Sequence, residues 1–126
     1  MRTNSGRDWQ AGVMASNVSD GSGAFAPATW IGLSDNSTPA SASHTTLTGE
    51  LTGGTLARSN ASYAHTDGTA SYTLIRTFTS DRITTVYKYG TFNASSGGVM
   101  AFECDFDDPV SLKVGDTIQV VDTIAL

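Results

Sequence analysis

The sequence predicts an all-β fold, a small β-sandwich or barrel of six to seven strands with a short N-terminal helix. Three observations predict it. From Leu56 to Leu126, apolar and polar residues alternate with a period of two, the pattern of strands with one buried face. Turn chemistry punctuates that alternation at Asp67-Gly68, at Asn93 to Gly98 and at Gly115-Asp116. Helical periodicity is confined to one short segment near the N-terminus. Short strands at this spacing with almost no helix build a sandwich or a barrel.

The elements follow in order. Residues Ser5 to Ala15 are the helix candidate: Asp8 is a capping residue, Trp9 and Val13 stand four apart on one face, and Met14 lies beside them. Barely three turns long, such a helix needs a surface to dock on, either one end of its own core or a partner. Asn17 to Gly23 is turn chemistry, and Thr29 to Leu33, with Trp30 and Ile31, is a compact strand. Residues 34–55 are rich in Ser, Thr, Ala and Gly. They read as a long surface excursion with one helical turn around Leu47 to Leu51, and loops of this length in small domains are functional or mobile. The chain therefore divides into an N-terminal arm, 1–28, and a single β domain, 29–126.

The strands of that domain are Arg58 to Thr66, Ala70 to Thr79, Thr84 to Phe92, Val99 to Phe106 and Thr117 to Leu126. The second places Tyr72, Leu74 and Phe78 on one face, with Arg76 in the same row. In the third, Val86 and Phe92 lie on one side and Tyr87 and Tyr89 on the other, as in a central or interface strand. The fourth alternates Met100, Phe102, Cys104 and Phe106 against Val99, Ala101, Glu103 and Asp105. Asp107-Asp108-Pro109 is expected to end it, because proline cannot donate to a ladder. A short extended piece follows at Val110 to Val114. The last strand turns Ile118, Val120, Ile124 and Leu126 inward.

Composition narrows the function. The chain has 126 residues, enough for one core. Its 15 Ser and 18 Thr make up about a quarter of it, and Gly adds 13. Charged residues are only 15%, with Lys+Arg 7 against Asp+Glu 12 and a net charge of −5, where ordinary soluble domains carry about 25% charge. A nucleic-acid partner would require a basic stripe, which the sequence lacks. No apolar run is long enough for a membrane span, and no polybasic segment suits a membrane surface. Asp8, Trp9 and Gln10 stand where a secretory leader needs apolar residues, so standard export is not expected.

The chemistry-bearing residues are few. Cys104 is the single cysteine, which excludes an intrachain disulfide, and it reads as a buried structural thiol. His44 and His65 are the two candidate bases near neutral pH. Each reads as a hydrogen-bonding loop or surface histidine, because no nucleophile-elbow sequence accompanies them. Glu103, Asp105 and Asp107 share one strand face and could offer oxygens to Ca²⁺. Their spacing matches no EF-hand, and a solvated face that discourages edge pairing is the expected role. Gly97-Gly98 belongs to a hairpin turn, not to a phosphate loop. No cofactor and no catalytic residue is expected. Trp9, Trp30, Tyr87 and Tyr89 suit either a protein interface or a sugar-stacking platform.

The order of several short motifs carries a resemblance over nearly the whole chain. Asn4-Ser5-Gly6-Arg7-Asp8-Trp9, Trp30-Ile31-Gly32-Leu33-Ser34 and Thr46-Leu47-Thr48-Gly49-Glu50 form its first half. Leu56-Ala57-Arg58, Tyr63-Ala64-His65-Thr66, Gly90 to Gly98 and Val114-Gly115-Asp116-Thr117-Ile118 continue it. In this order they resemble a group of small structural proteins of tailed bacteriophages. The resemblance implies a non-enzymatic virion component made in the host cytoplasm, a head decoration protein on the capsid surface or a tail or baseplate protein. The expected partners are the major capsid protein and further copies of the chain, in three-fold clusters that suit a capsid lattice. A decoration protein stabilises the shell by binding its mature form, which requires no chemistry. The candidate contacts are Arg7, Trp9, Val13 and Met14 in the arm, Leu47 and Leu51 in the long loop, and Trp30, Tyr87 and Tyr89 on the strands. A carbohydrate-binding module is the competing class.

Overall fold

The alternation at the C-terminal end of the chain becomes burial in the computed structural model, which describes residues 3–6, 28–66, 68–69 and 71–125. Strand β7, Thr117–Ala125, is exposed and buried by turns at every residue, so Ile118, Val120 and Ile124 point inward. Six strands precede it among the described residues: β1 (Trp30–Ser34), β2 (Ser59–Asn60), β3 (Ser62–His65), β4 (Ser71–Thr79), β5 (Thr84–Phe92) and β6 (Met100–Leu112). They form two antiparallel sheets, one ordered β2-β1-β5-β6 and the other β3-β4-β7. The small all-β fold expected from the sequence is thus present.

The core lies between the sheets. The first sheet contributes Ile31, Leu33, Val86 and Tyr89, and the second Leu74, Phe78, Ile118, Val120 and Ile124. Each fully buried aliphatic or aromatic side chain of this kind contributes roughly 1.5–3 kcal/mol. Leu51, Leu56 and Leu112 complete the cluster.

Four departures from the sequence reading have local causes. The run expected as one strand from Arg58 to Thr66 is split: β2 pairs with β1 in one sheet and β3 with β4 in the other. The crossing point is Ala61, a buried small residue whose N–H donates to the Thr29 carbonyl. Strand β6 does not stop at Asp107-Asp108-Pro109 but continues to Leu112. Val86 pairs with Val110 and Lys88 with Asp105, so residues 106–109 bulge opposite Tyr87 alone. β6 is an edge strand, and in a bulge on an edge the missing proline N–H is tolerated.

The bulge also explains why Val86 and Tyr89, expected on opposite sides, both enter the core. A second irregularity pairs Thr91 with Phe102 and Phe92 with Met100, leaving Ala101 as the extra residue. Met100 thereby leaves the row of Phe102 and Cys104 and packs with Phe92 and Leu47 on the outer side of the sheet. The Ala101 carbonyl accepts the Thr3 N–H at 3.2 Å. Residues 4–6 are helical, and Gly6 sits so close to the Ala101 backbone that a side chain there would collide with it. The rest of the expected helix, with Arg7, Trp9, Val13 and Met14, lies outside the described residues.

Candidate interaction surface

The outer face of the four-stranded sheet carries Trp30 and Gly32 from β1, Lys88, Gly90 and Phe92 from β5, and Glu103 and Asp105 from β6. The chain covers this face itself. The loop at 34–55, expected as an excursion, is fastened to it by three side chains. Lys88 Nζ donates to the Thr38 carbonyl at 3.0 Å. The Ala40 N–H donates to Asp105 Oδ2 and the Ser41 N–H to Glu103 Oε1, each at 2.9 Å. His44 Nδ1 stands 2.8 Å from Glu103 Oε1, and Lys88 Nζ lies 3.8 Å from Glu103 Oε2.

The Lys88 and Glu103 side chains are both 0% exposed. Glu103 is therefore not part of a solvated face, as its alternation with Asp105 suggested, but a buried carboxylate that orders the loop. Among the described residues no group of three or more His, Cys, Asp and Glu side chains is placed to hold a metal ion.

The same covering accounts for two of the expected contact residues. Leu47 seals a small outer cluster with Phe92 and Met100, against which Trp30 packs, and Leu51 belongs to the main core. Both leucines are buried within their own chain, so neither is offered to a partner. The helical turn expected at Leu47 to Leu51 is instead a turn followed by one bridge between Ser34 and Glu50. The Ser34 hydroxyl donates to the Thr48 carbonyl and the Leu51 N–H to the Leu33 carbonyl, which ties this stretch alongside β1.

Tyr89 is also withdrawn from any surface. Its hydroxyl donates to Asp122 Oδ1 at 2.9 Å between the sheets. Asp122 is 6% exposed, and among the described residues its Oδ2 has no hydrogen-bond partner. Burial pushes the Asp122 carboxyl above its ordinary value, against the Tyr89 hydrogen bond, which pulls it down. Burial, and next the Asp122 charge, push the Tyr89 phenol up. Asp122 was legible in principle, since it occupies the inward parity of Ile118, Val120 and Ile124. Tyr87 is half-buried at the bulge, and Cys104 is half-buried against the core.

Arg58 makes a second polar knot. Its Nε and Nη2 donate to the two Glu50 carboxylate oxygens at 2.8 and 2.7 Å. Nη1 donates to the Ala94 and Gly97 carbonyls, and the guanidinium lies 3.4 Å over the Phe92 ring. A surface cleft of about 220 Å³ opens beside it, lined by Thr52, Ser95 and Ser96 among others. All three guanidinium nitrogens are engaged in holding the β5–β6 turn to the loop. The geometry is that of a brace.

The other sheet presents a different kind of surface. Register and burial place Ser62 and Ala64 of β3 on its outer face, with Ser71, Thr73, Ile75, Thr77 and Thr79 of β4. From β7 come Thr117, Gln119, Val121, Thr123 and Ala125, every one of them exposed. None of these twelve residues is ionisable. Ile75 and Val121 are cross-strand partners and each is the fifth residue of a nine-residue strand, so an aliphatic pair marks the centre of a hydroxyl-rich face. Val121 is 53% exposed. Gln119 Nε2 donates to Thr77 Oγ1 at 3.2 Å across the same face.

Two further features are exposed. Ile83 and Val114, 83% and 71% exposed, stand on neighbouring turns at one end of the sandwich. Those turns are joined by the Ser80 N–H to the Asp116 carbonyl and the Gly115 N–H to the Ser80 carbonyl. On the inner side of edge strand β3, Tyr63 lies 5.6 Å from Tyr72 and 6.4 Å from His65, ring to ring. The His65 Nδ1 is 2.9 Å from the Ser71 carbonyl.

Neither a family model nor a curated protein matches this sequence. No helix among the described residues is long and apolar enough to cross a membrane.

Proposed function

We propose that this chain is a non-enzymatic structural protein of a tailed-bacteriophage virion, one that decorates the outside of the major capsid shell and stabilises it. The observation that carries the assembly role is the uncharged outer face of the β3-β4-β7 sheet. A chain of net charge −5 keeps twelve outward residues of one sheet free of any ionisable group. Such a surface meets another protein without stripping water from an ion. Its aliphatic centre and hydroxyl rim follow the anatomy of protein interfaces. The order of motifs resembling phage structural proteins supports the virion setting. The exposed residues Ile83 and Val114 supply a separate apolar point for the shell, at one end of the sandwich.

Purified particles of the phage that encodes the chain, labelled with an antibody against it and imaged, test the proposal. Label over the head shell is the expected outcome. Label confined to the tail would favour a tail or baseplate protein, and particles without label would refute a virion role.

One observation favours a second reading. A carbohydrate-binding platform cannot use Tyr89, which is buried, but Tyr63, His65 and Tyr72 form an aromatic ledge at an edge strand. A glycan array that stays blank at high protein concentration would remove it.

A further inference from the structure

We propose that the outer face of the β3-β4-β7 sheet is occupied by the same face of a second copy, around a two-fold axis near the Ile75–Val121 pair. The inference rests on reading this face as a contact surface and goes further, by naming what it contacts. Three features select a second copy. Charge comes first: two molecules of net charge −5 repel, and the bulged edge of β6 carries Asp105, Asp107 and Asp108. The β3-β4-β7 face lets two copies meet without bringing carboxylates together, because it holds no ionisable group.

Geometry comes second. Ile75 and Val121 occupy the middle of β4 and β7, so a two-fold axis there stacks aliphatic centre on aliphatic centre and hydroxyl rim on hydroxyl rim. An isologous contact of this kind is self-complementary by construction. Two such sheets pack about 10 Å apart with their strands within about 30° of alignment. The contact pairs two copies, in place of the three-fold cluster that a capsid lattice suggests.

Area comes third and sets the strength. Two strands of nine residues and the four-residue β3, at about 3.4 Å per residue and about 4.8 Å spacing, give a face on the order of 350 Å². Two copies then bury roughly 700 Å², below the 1,200–2,000 Å² or so of stable specific complexes. The dimer is therefore weak and reversible, formed at protein concentrations of about 0.1–1 mM. On a shell, where many copies are held close together, such a contact is strengthened by effective concentration.

Sedimentation velocity on the full chain, from about 10 µM to 1 mM, tests this at low and high salt. The mass should climb from one copy toward two, and added salt should favour the dimer several-fold by screening the net charge. Val121→Lys should hold the protein at one copy across the series, and Thr73→Lys, on the same face, should do the same. Val121 is exposed and Thr73 half-buried on the outer face, and an unchanged circular dichroism spectrum verifies folding. Asp107→Lys, off the face, should dimerise at least as well as the parent. A monomer at every concentration overturns the proposal, as does a three-copy endpoint, an association weakened by salt, or a dimer indifferent to both face substitutions. The readout needs no particles, so a solution dimer that never labels virions would count against the decoration role and leave this contact standing.

Discussion

Removing the ammonium of Lys88 should show how the long loop is held. Lys88 and Glu103 are both fully buried with 3.8 Å between Nζ and Oε2. At an effective dielectric of about 20, unit charges at that separation attract by about 4 kcal/mol. Taking both groups out of water costs several kcal/mol, so the pair as a whole contributes little net stability. Breaking it from one side is another matter. Lys88→Met leaves the Glu103 carboxylate without the buried ammonium, and Glu103→Gln leaves that ammonium with the Thr38 carbonyl. Each single variant should lose about 3–5 kcal/mol.

The double variant, Lys88→Met with Glu103→Gln, carries neither buried charge and keeps an amide oxygen for the Ser41 N–H. Its loss should be about 1–2 kcal/mol, mainly the Lys88 bond to Thr38. The coupling in the cycle is then at least about 4 kcal/mol. Urea unfolding followed by tryptophan fluorescence supplies the four stabilities, and hydrogen exchange at residues 38–44 reports the loop. A coupling below about 0.5 kcal/mol, or unchanged exchange in the single variants, would refute an ionic fastening.

Other expectations follow from the remaining polar groups. The Asp122 carboxyl is raised by burial in the folded chain, so ionising it opposes folding above the folded value, and that penalty disappears below the unfolded one. The parent should therefore gain stability relative to Asp122→Asn as pH falls from about 7 toward 4; a flat or opposite difference in urea midpoints would contradict the assignment. Arg58→Lys cannot reproduce the fork on Glu50 or the stacking on Phe92 and should lose about 2–3 kcal/mol in the same assay. Gly98 has φ +71°, and a methyl there would meet Asn93 Oδ1 at 2.5 Å. Gly97 has φ +62° with open space around it. Gly98→Ala should thus destabilise by about 2–3 kcal/mol and Gly97→Ala by about 1, and equal losses would show that the Asn93 contact is unimportant.

What the sequence conveyed well was direction along each strand. The bounds of β5 match the expected Thr84 to Phe92, and the inward row of β7 follows the alternation of Ile118, Val120 and Ile124. Parity states which way a side chain points but not what covers that side. Glu103 sits at outward parity, so it reads as solvated, and only the folded loop at 38–44 makes it one half of a buried pair with Lys88. Asp122 shows the converse failure. Its parity was inward, but a carboxylate among aliphatic residues is read as exposed unless its partner is known, and Tyr89 lies 33 residues away in the chain. Pro109 misled for a related reason: the rule against proline in a ladder applies to paired N–H groups, and an edge bulge pairs none there.

These placements together separate two uses of polarity in one small sandwich. Several ionisable groups on and beside the four-stranded sheet are turned to internal work: Lys88, Glu103 and Asp105 hold the loop, and Glu50 and Arg58 hold the turn. The three-stranded sheet has no such groups on its outer face, and all of its threonines there but the half-buried Thr73 are exposed. If the hydroxyls served solubility alone, charged residues would serve better, since they are hydrated more strongly and prevent edge and face association. Leaving them out lowers the desolvation cost of a contact, while the hydroxyls keep affinity for water. The low charge of the chain shows most plainly on that face, which is the surface to which the proposed contact is assigned.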